Sequence, residues 1–311
     1  MKIPFCLPLI NKDVEKEVLS CLNETGWVTT GPKVKEYEEE ITKLCQTNST
    51  ICVNSWTSGM LLLIRWLGLN GKDEVIVPTY TYAASALAVI NSNVKCVFVD
   101  VNDDFTINID EIEKAITKNT KAIMPVDLGG LPIDYIALNN LLNKESIKSK
   151  FTPKTEFQKK IGRPIIISDA AHSIGSLIDG VPTPLFSDFS VFSFHSVKNI
   201  TTGEGGAITF KIFNEEQDGL ILKELRLLSL NGQNKTAFQK NTLGGWKYDI
   251  TINGLKVNMP DINAAIGLAQ IRKYKHVLLP EREKIFLKYN SILSQYSWAI
   301  LPTFSAGARK S

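Results

Sequence analysis

The chain has 311 residues, of which 44% are hydrophobic and 22% charged, with a formal net charge of +3. This is globular composition, sufficient for one large domain or one and a half. So small a charge, with no dense basic stripe, excludes a nucleic-acid binder as the expected class.

The opening "MKIPFCLPLINKD" has no long apolar core and does not read as a signal peptide. "NKDVEKEVLSCLN" has helical spacing, and "GPKVKEYEEEITKLC" predicts a second amphipathic helix with Val34, Tyr37, Ile41 and Leu44 on one stripe. A regular alternation follows. "ICVN" reads as strand, "TSGMLLLIRWLG" as helix, "EVIVP" as strand and "YAASALAVI" as helix. "KCVFVD" is strand, "IDEIEKAIT" helix, "KAIMPV" strand, "IDYIALNNLL" helix and "PIIIS" strand. The longest apolar run, "MLLLIRWLGL", is broken by Arg65 and is too short to span a bilayer. Residues 144–163, "KESIKSKFTPKTEFQKKIGR", are polar and lysine-rich and read as a solvated surface loop. "DFSVFSF" predicts a buried strand, and the glycines of "TTGEGG" a tight turn into "GGAITF". From about residue 260 the pattern is helical, through "PDINAAIGLAQIRKY" and "EREKIFLKYNSILSQY".

Short apolar strands alternating with helices predict an α/β fold with a mostly parallel sheet covered on both faces. Such sheets bind ligands beyond the carboxyl ends of their strands. Four features fall on that rim. Asp169 directly follows "PIIIS", where a carboxylate either caps a turn or serves a ligand. Lys198 lies beyond the next apolar strand, and either snorkels or is used chemically. Thr57 and Ser58 open a helix, whose amides and hydroxyls form an ordinary cap or an anion site. Tyr82 is an aromatic at a helix start, either core or stacking partner. Pyridoxal phosphate needs all four: an amine for its aldehyde, a carboxylate for its ring nitrogen, a phosphate cradle and a flat partner. Five cysteines with no C-x-x-C pair point to reduced thiols in the cytoplasm. The three histidines, 172, 195 and 276, lack metal-ligand spacing, so no metal is expected.

"DAAHSIG" (169–175) and "FSFHSVKNITTGEGGAI" (192–208) are similar to the signature segments of the DegT/StrS family of pyridoxal-phosphate-dependent nucleotide-sugar aminotransferases, which have the aspartate aminotransferase (type I) fold. The resemblance extends from "TTGPKVKEYEEE" (29–40) to "NMPDINAAIGLAQI" (258–271). It implies a seven-stranded-type central sheet flanked by helices, with a large cofactor-binding domain over 1–250. Residues 251–311 would supply interdomain helices and the start of a truncated small C-terminal domain. On that view the stripe Ile285, Phe286, Tyr289, Ile292 and Leu293 would pack on parts of the small domain that lie past the end of this chain.

By resemblance, Lys198 is the Schiff-base lysine and Asp169 the partner of the pyridine nitrogen. His172 stands where the family places a residue near the ring oxygen. Ser193, Thr57 and Ser58 match the phosphate ligands, and Tyr82 the stacking aromatic. "GLKVNMPDINAA" matches a loop that reaches a neighbouring subunit's phosphate, which implicates Asn258 or Lys256 and a homodimer. Trp56 departs from the family, which has a small residue there. A sister branch that dehydrates sugars carries His for the lysine, so Lys198 implies transamination from glutamate to a keto group of a nucleotide sugar, in polysaccharide or amino-sugar biosynthesis. The alternative is a catalytically inactive or regulatory protein on the same fold. A nucleotide-phosphate binder built on "TTGEGG" lacks the G-x-x-x-x-G-K-[ST] spacing.

Overall fold

The computed structural model describes residues 7–235, 237–240, 246–302 and 308–309. Helices α1 (Lys12–Ser20) and α2 (Pro32–Cys45) precede the alternating region. It runs β1 (Ser49–Val53), α3 (Trp56–Trp66), β2 (Glu74–Pro78), α4 (Ala83–Asn91), β3 (Lys95–Val99), α5 (Ile109–Ala115), β4 (Thr120–Ile123) and α6 (Tyr135–Asn143). Two short helices, α7 (Glu145–Lys148) and α8 (Glu156–Ile161), lead to β5 (Ile165–Asp169). After the small strands β6 (Leu177–Ile178) and β7 (Val181–Pro182) come β8 (Phe189–Ser193), β9 (Gly206–Phe210) and α9 (Glu215–Ser229). Helices α10 (Ala237–Lys240), α11 (Asp261–Lys273) and α12 (Leu279–Leu293) follow. No helix among the described residues is long and apolar enough to cross a membrane.

The main sheet has seven strands in the order β1-β9-β8-β5-β4-β2-β3. Only β9 runs against the others, pairing antiparallel with both β1 and β8. The remaining pairs are parallel, as expected for strands joined by helical crossovers. Strands β1, β2, β4, β5 and β9 are buried along their whole length, which is why their centres read as short apolar runs rather than as alternating patterns. One core lies between α3, α4, α9 and the sheet, and another holds α5 and α6 against the opposite side. A third unites the α2 stripe Val34, Tyr37 and Ile41 with Phe192, Phe194 and α11.

Helix α2 begins with proline at its first turn and has no cap of its own. Asp261, the first residue of α11, does that work from across the chain. Its carboxylate accepts from the amides of Gly31 (2.8 Å), Lys33 (3.1 Å) and Val34 (2.9 Å).

The expectation that residues 144–163 form a solvated loop is overturned. Ile147, Phe151 and Gln158 are buried, and α7 and α8 occupy much of the segment. Phe157 packs edge-on against Trp66, with ring centroids 4.8 Å apart. Gln158 donates from Nε2 to the Leu67 carbonyl at 2.9 Å, and the Thr152 carbonyl accepts from buried Lys121 at 2.7 Å. The lysines misled because their long stems cross the surface while a few irregularly spaced apolar groups dock.

Gly206 opens β9 where β8 and the start of α3 converge. A β-carbon there would lie 2.7 Å from the Ser55 carbonyl carbon, 2.7 Å from the Trp56 nitrogen and 2.8 Å from the Phe192 oxygen. These are backbone atoms and cannot swing aside. Gly206→Ala should therefore displace the α3 start and cost about 1–3 kcal/mol. Urea unfolding checks this, and an unchanged midpoint would contradict it.

Candidate active site

The carboxyl ends of β1, β2, β4, β5 and β8 open onto one cavity of about 380 Å³, within the usual size of small-molecule sites. Among the predicted residues, Thr57, Tyr82, Asp169, His172, Ser193 and Lys198 line it. Ser58 lies one residue further along α3 and is held by Ser55, whose Oγ accepts the Ser58 amide at 3.1 Å and bonds its hydroxyl at 2.9 Å. Asn258 and Lys256 are brought together elsewhere, in a second cavity of about 170 Å³ with Thr30, Gln233 and Lys240. There Asn258 donates to Thr30 Oγ1 at 2.6 Å and its Oδ1 accepts from Lys256.

Asp169 ends β5 and is 5% exposed. Ser85 on α4 donates to its Oδ2 at 2.7 Å, and the Ala171 amide to its Oδ1 at 3.2 Å. Burial pushes the carboxyl up to about 6, against the pull of these donors and of the Lys198 charge. Lys198 is drawn down by burial, with Asp169 opposing.

The partners of His172 settle its proton. The Gly129 amide, which can only donate, reaches Nδ1 at 3.2 Å. Burial, then the Lys198 charge, lowers this imidazole to about 4, so it is neutral at pH 7. A neutral ring whose Nδ1 accepts carries its proton on Nε2. That Nε2 lies 2.7 Å from Lys198 Nζ, within hydrogen-bond distance.

Tyr82 caps the start of α4 and is 81% exposed, a flat ring at the cavity mouth rather than a core aromatic. The same cavity is lined by Ser55 and Thr57 at the N-terminus of α3. Cavity, amine, carboxylate, helix N-terminus and aromatic together fit pyridoxal phosphate.

Sequence reasoning missed Ser85, although it lies on the first turn of α4 beside Tyr82, where helical periodicity could have flagged it. It also missed the support behind Asp169. Asp127, after β4, is buried and accepts from Ser173 Oγ (2.7 Å), Tyr135 (3.0 Å) and the Ile133 amide (3.2 Å). Its own amide donates to the Asp169 carbonyl at 3.2 Å. Burial raises it to about 6, and the Asp169 charge adds to the rise. Only the pairing of β4 beside β5 brings these groups together. No group of His, Cys, Asp and Glu among the described residues could hold a metal ion.

Fold and site define a pyridoxal-phosphate-dependent enzyme of the type I fold. The chain belongs to the DegT/DnrJ/EryC1/StrS aminotransferase family, which it matches over residues 8–150 and 156–310. The unmatched gap falls within the lysine-rich segment. The chain is 31% identical over 303 residues to the spore coat polysaccharide biosynthesis protein SpsC of Bacillus subtilis, covering 96% of this chain and 71% of that one. It is 32% identical over 294 residues to the UDP-4-amino-4-deoxy-L-arabinose–oxoglutarate aminotransferase of Shewanella sediminis, covering 94% and 69%. Spr1654 of Streptococcus pneumoniae in its PLP-form superposes with a TM-score of 0.92 at 38% identity, over 100% of this chain and 76% of that one. The protein is a sugar aminotransferase that uses pyridoxal phosphate in polysaccharide or amino-sugar biosynthesis. Neither site nor relatives favour the catalytically inactive alternative.

Proposed function

We propose that the amino group comes from glutamate and goes to a keto carbon of a nucleotide-activated sugar, with the cavity residues in the roles that follow. The observation that carries this reading is Lys198 Nζ, 2.7 Å from His172 Nε2, in the same cavity as the buried Asp169 carboxylate. The Shewanella relative's nucleotide sugar and oxoglutarate, the keto acid of glutamate, support the two substrates.

When bound, the cofactor supplies an aldehyde to carry the amino group and a protonated ring to accept electron density. Asp169 keeps the proton on the ring nitrogen. Thr57, Ser58 and Ser193 hold the phosphate, and the α3 dipole adds positive potential there. Tyr82 covers the ring, and His172 turns its Nε2–H to the ring oxygen. Lys198 Nζ takes the proton from the donor's α-carbon and returns it on the other side of the transfer. Residues 1–250 form the body that holds the cofactor, and 251–311 provide the interdomain helices. The chain works as a cytoplasmic homodimer in which Asn258 or Lys256 reaches the neighbouring subunit's phosphate.

Adding glutamate to cofactor-loaded protein should bleach the absorbance of the aldehyde form, and a nucleotide keto-sugar should restore it. A spectrum unmoved by glutamate would overturn the reading. Mixing Lys198→Ala subunits with Lys256→Ala/Asn258→Ala subunits should recover some sites, since one of the two composite cavities is then intact. A monomer that retains its cofactor tightly would count against shared sites.

A further inference from the structure

Among the described residues, three buried side-chain polar atoms lack a hydrogen-bond partner: Tyr37 Oη, Trp56 Nε1 and Thr183 Oγ1. Of these three residues, Trp56 alone lines the catalytic cavity. An orphaned buried N–H is uncommon and calls for an account. Trp56 is the first residue of α3 and is 6% exposed. Its unpartnered indole N–H shares the cavity with the Asp169 carboxylate, whose charged form it favours. A carboxylate has about four lone-pair sites. Ser85 and the Ala171 amide occupy two of them, which leaves room for the indole and for a ring nitrogen.

We propose that Trp56 is a positioning residue for Asp169: its N–H faces the carboxylate and, together with Ser85, keeps it ionised and aimed at the cofactor's ring nitrogen. This rests on the reading that Asp169 serves the ring nitrogen. The need is physical. A carboxylate buried here is reluctant to carry charge, and each donor that bonds only the ionised form offsets that reluctance. Other titratable groups face Asp169 too. They are Lys198 from the loop after β8, His172 from the turn after β5, Asp127 from the end of β4 and Tyr135 from α6. Removing the indole N–H leaves all four in place.

The test uses Trp56→Phe. In cofactor-free protein, carbon NMR of labelled aspartate should show the Asp169 midpoint moving upward from its parental position. Pyridoxal phosphate affinity should fall about tenfold at pH 7 and much less at pH 9, where Asp169 is ionised in either protein. The loss should shrink to near nothing when Asp169→Asn is already present, because the carboxylate charge on which the coupling acts is then gone. An unmoved Asp169 midpoint, or an equal affinity loss in the Asp169→Asn background, would overturn the proposal and reduce Trp56 to packing. If Asp169→Asn alone leaves cofactor affinity intact, the reading of Asp169 fails, while the midpoint still decides whether Trp56 acts on it. Should Trp56→Phe not fold, benzothienylalanine at position 56 keeps the indole shape and removes only the N–H, and the same outcomes apply.

Discussion

Replacing Asp169 by asparagine is expected to lower the glutamate half-reaction by orders of magnitude while making the cofactor-free chain more stable at neutral pH. The first effect follows from charge. Two opposite unit charges about 4 Å apart attract by about 4 kcal/mol at an effective dielectric near 20, equivalent to about three pK units on the ring nitrogen. An amide cannot supply that, so the ring loses its proton and with it the capacity to stabilise negative charge. The second effect follows from burial. Asp169 titrates at about 6 in the folded chain against an ordinary 3.8. A raised carboxyl stabilises the fold only while protonated, so its contribution is intact below pH 3.8 and lost as pH rises through 6. Asparagine removes this dependence. It also fits the existing bonds: Oδ1 keeps the Ala171 amide, Nδ2 donates to Ser85 Oγ, and Ser85 turns its hydroxyl to Thr81, 2.7 Å away. Relief of the Asp169 charge lowers the burden on Asp127 as well. The gain at pH 7 should approach about 3 kcal/mol and disappear near pH 4. Thermal unfolding of both cofactor-free proteins from pH 4 to 8 measures it. Parallel curves, or an unchanged half-reaction, would refute the assignment.

Lys198→Ala should reduce the half-reaction on the order of 10⁴-fold, since in the proposed roles one group is both nucleophile and proton carrier. Borohydride reduction of the parent followed by peptide mapping should place the pyridoxyl group on Lys198. Lys198→Arg should not rescue. A guanidinium stays charged and would meet the Nε2–H of His172 with another donor, in a space where that ring now bonds an amine at 2.7 Å. In the cofactor-free parent, acylation of Lys198 should reach half its maximal rate at a pH below that of a surface lysine, because burial lowers its pKa. Label on another lysine, or a Lys198→Ala protein within tenfold of the parent, would sink this role.

The alternating fold was legible in the residue pattern, and so was the meeting of Asp169 and Lys198 on one rim. Strands buried on both faces are mostly apolar at their centres, so β1, β2, β4 and β5 stood out as short runs. The parallel-sheet rule then placed Asp169 and Lys198 on one rim, and the family motifs pointed to the cofactor. The tertiary structure decided the rest, because it depends on neighbours remote in the chain. Ser85 reaches Asp169 across 84 residues, and Gly129 sets the His172 proton across 43. Periodicity can set Ser85 on a face of α4, but nothing local says that this face meets Asp169. Asp127 was invisible as a buried acid because its donors come from α6, β5 and the turn beyond it. Residues 144–163 looked solvated because lysine stems hide docked apolar groups, and only packing on Leu67 and Lys121 shows the segment to be built in. Local pattern fixes which face of an element is buried. Which polar groups meet at the end of that element is set by the order of strands in the sheet, and that order is a property of the whole chain.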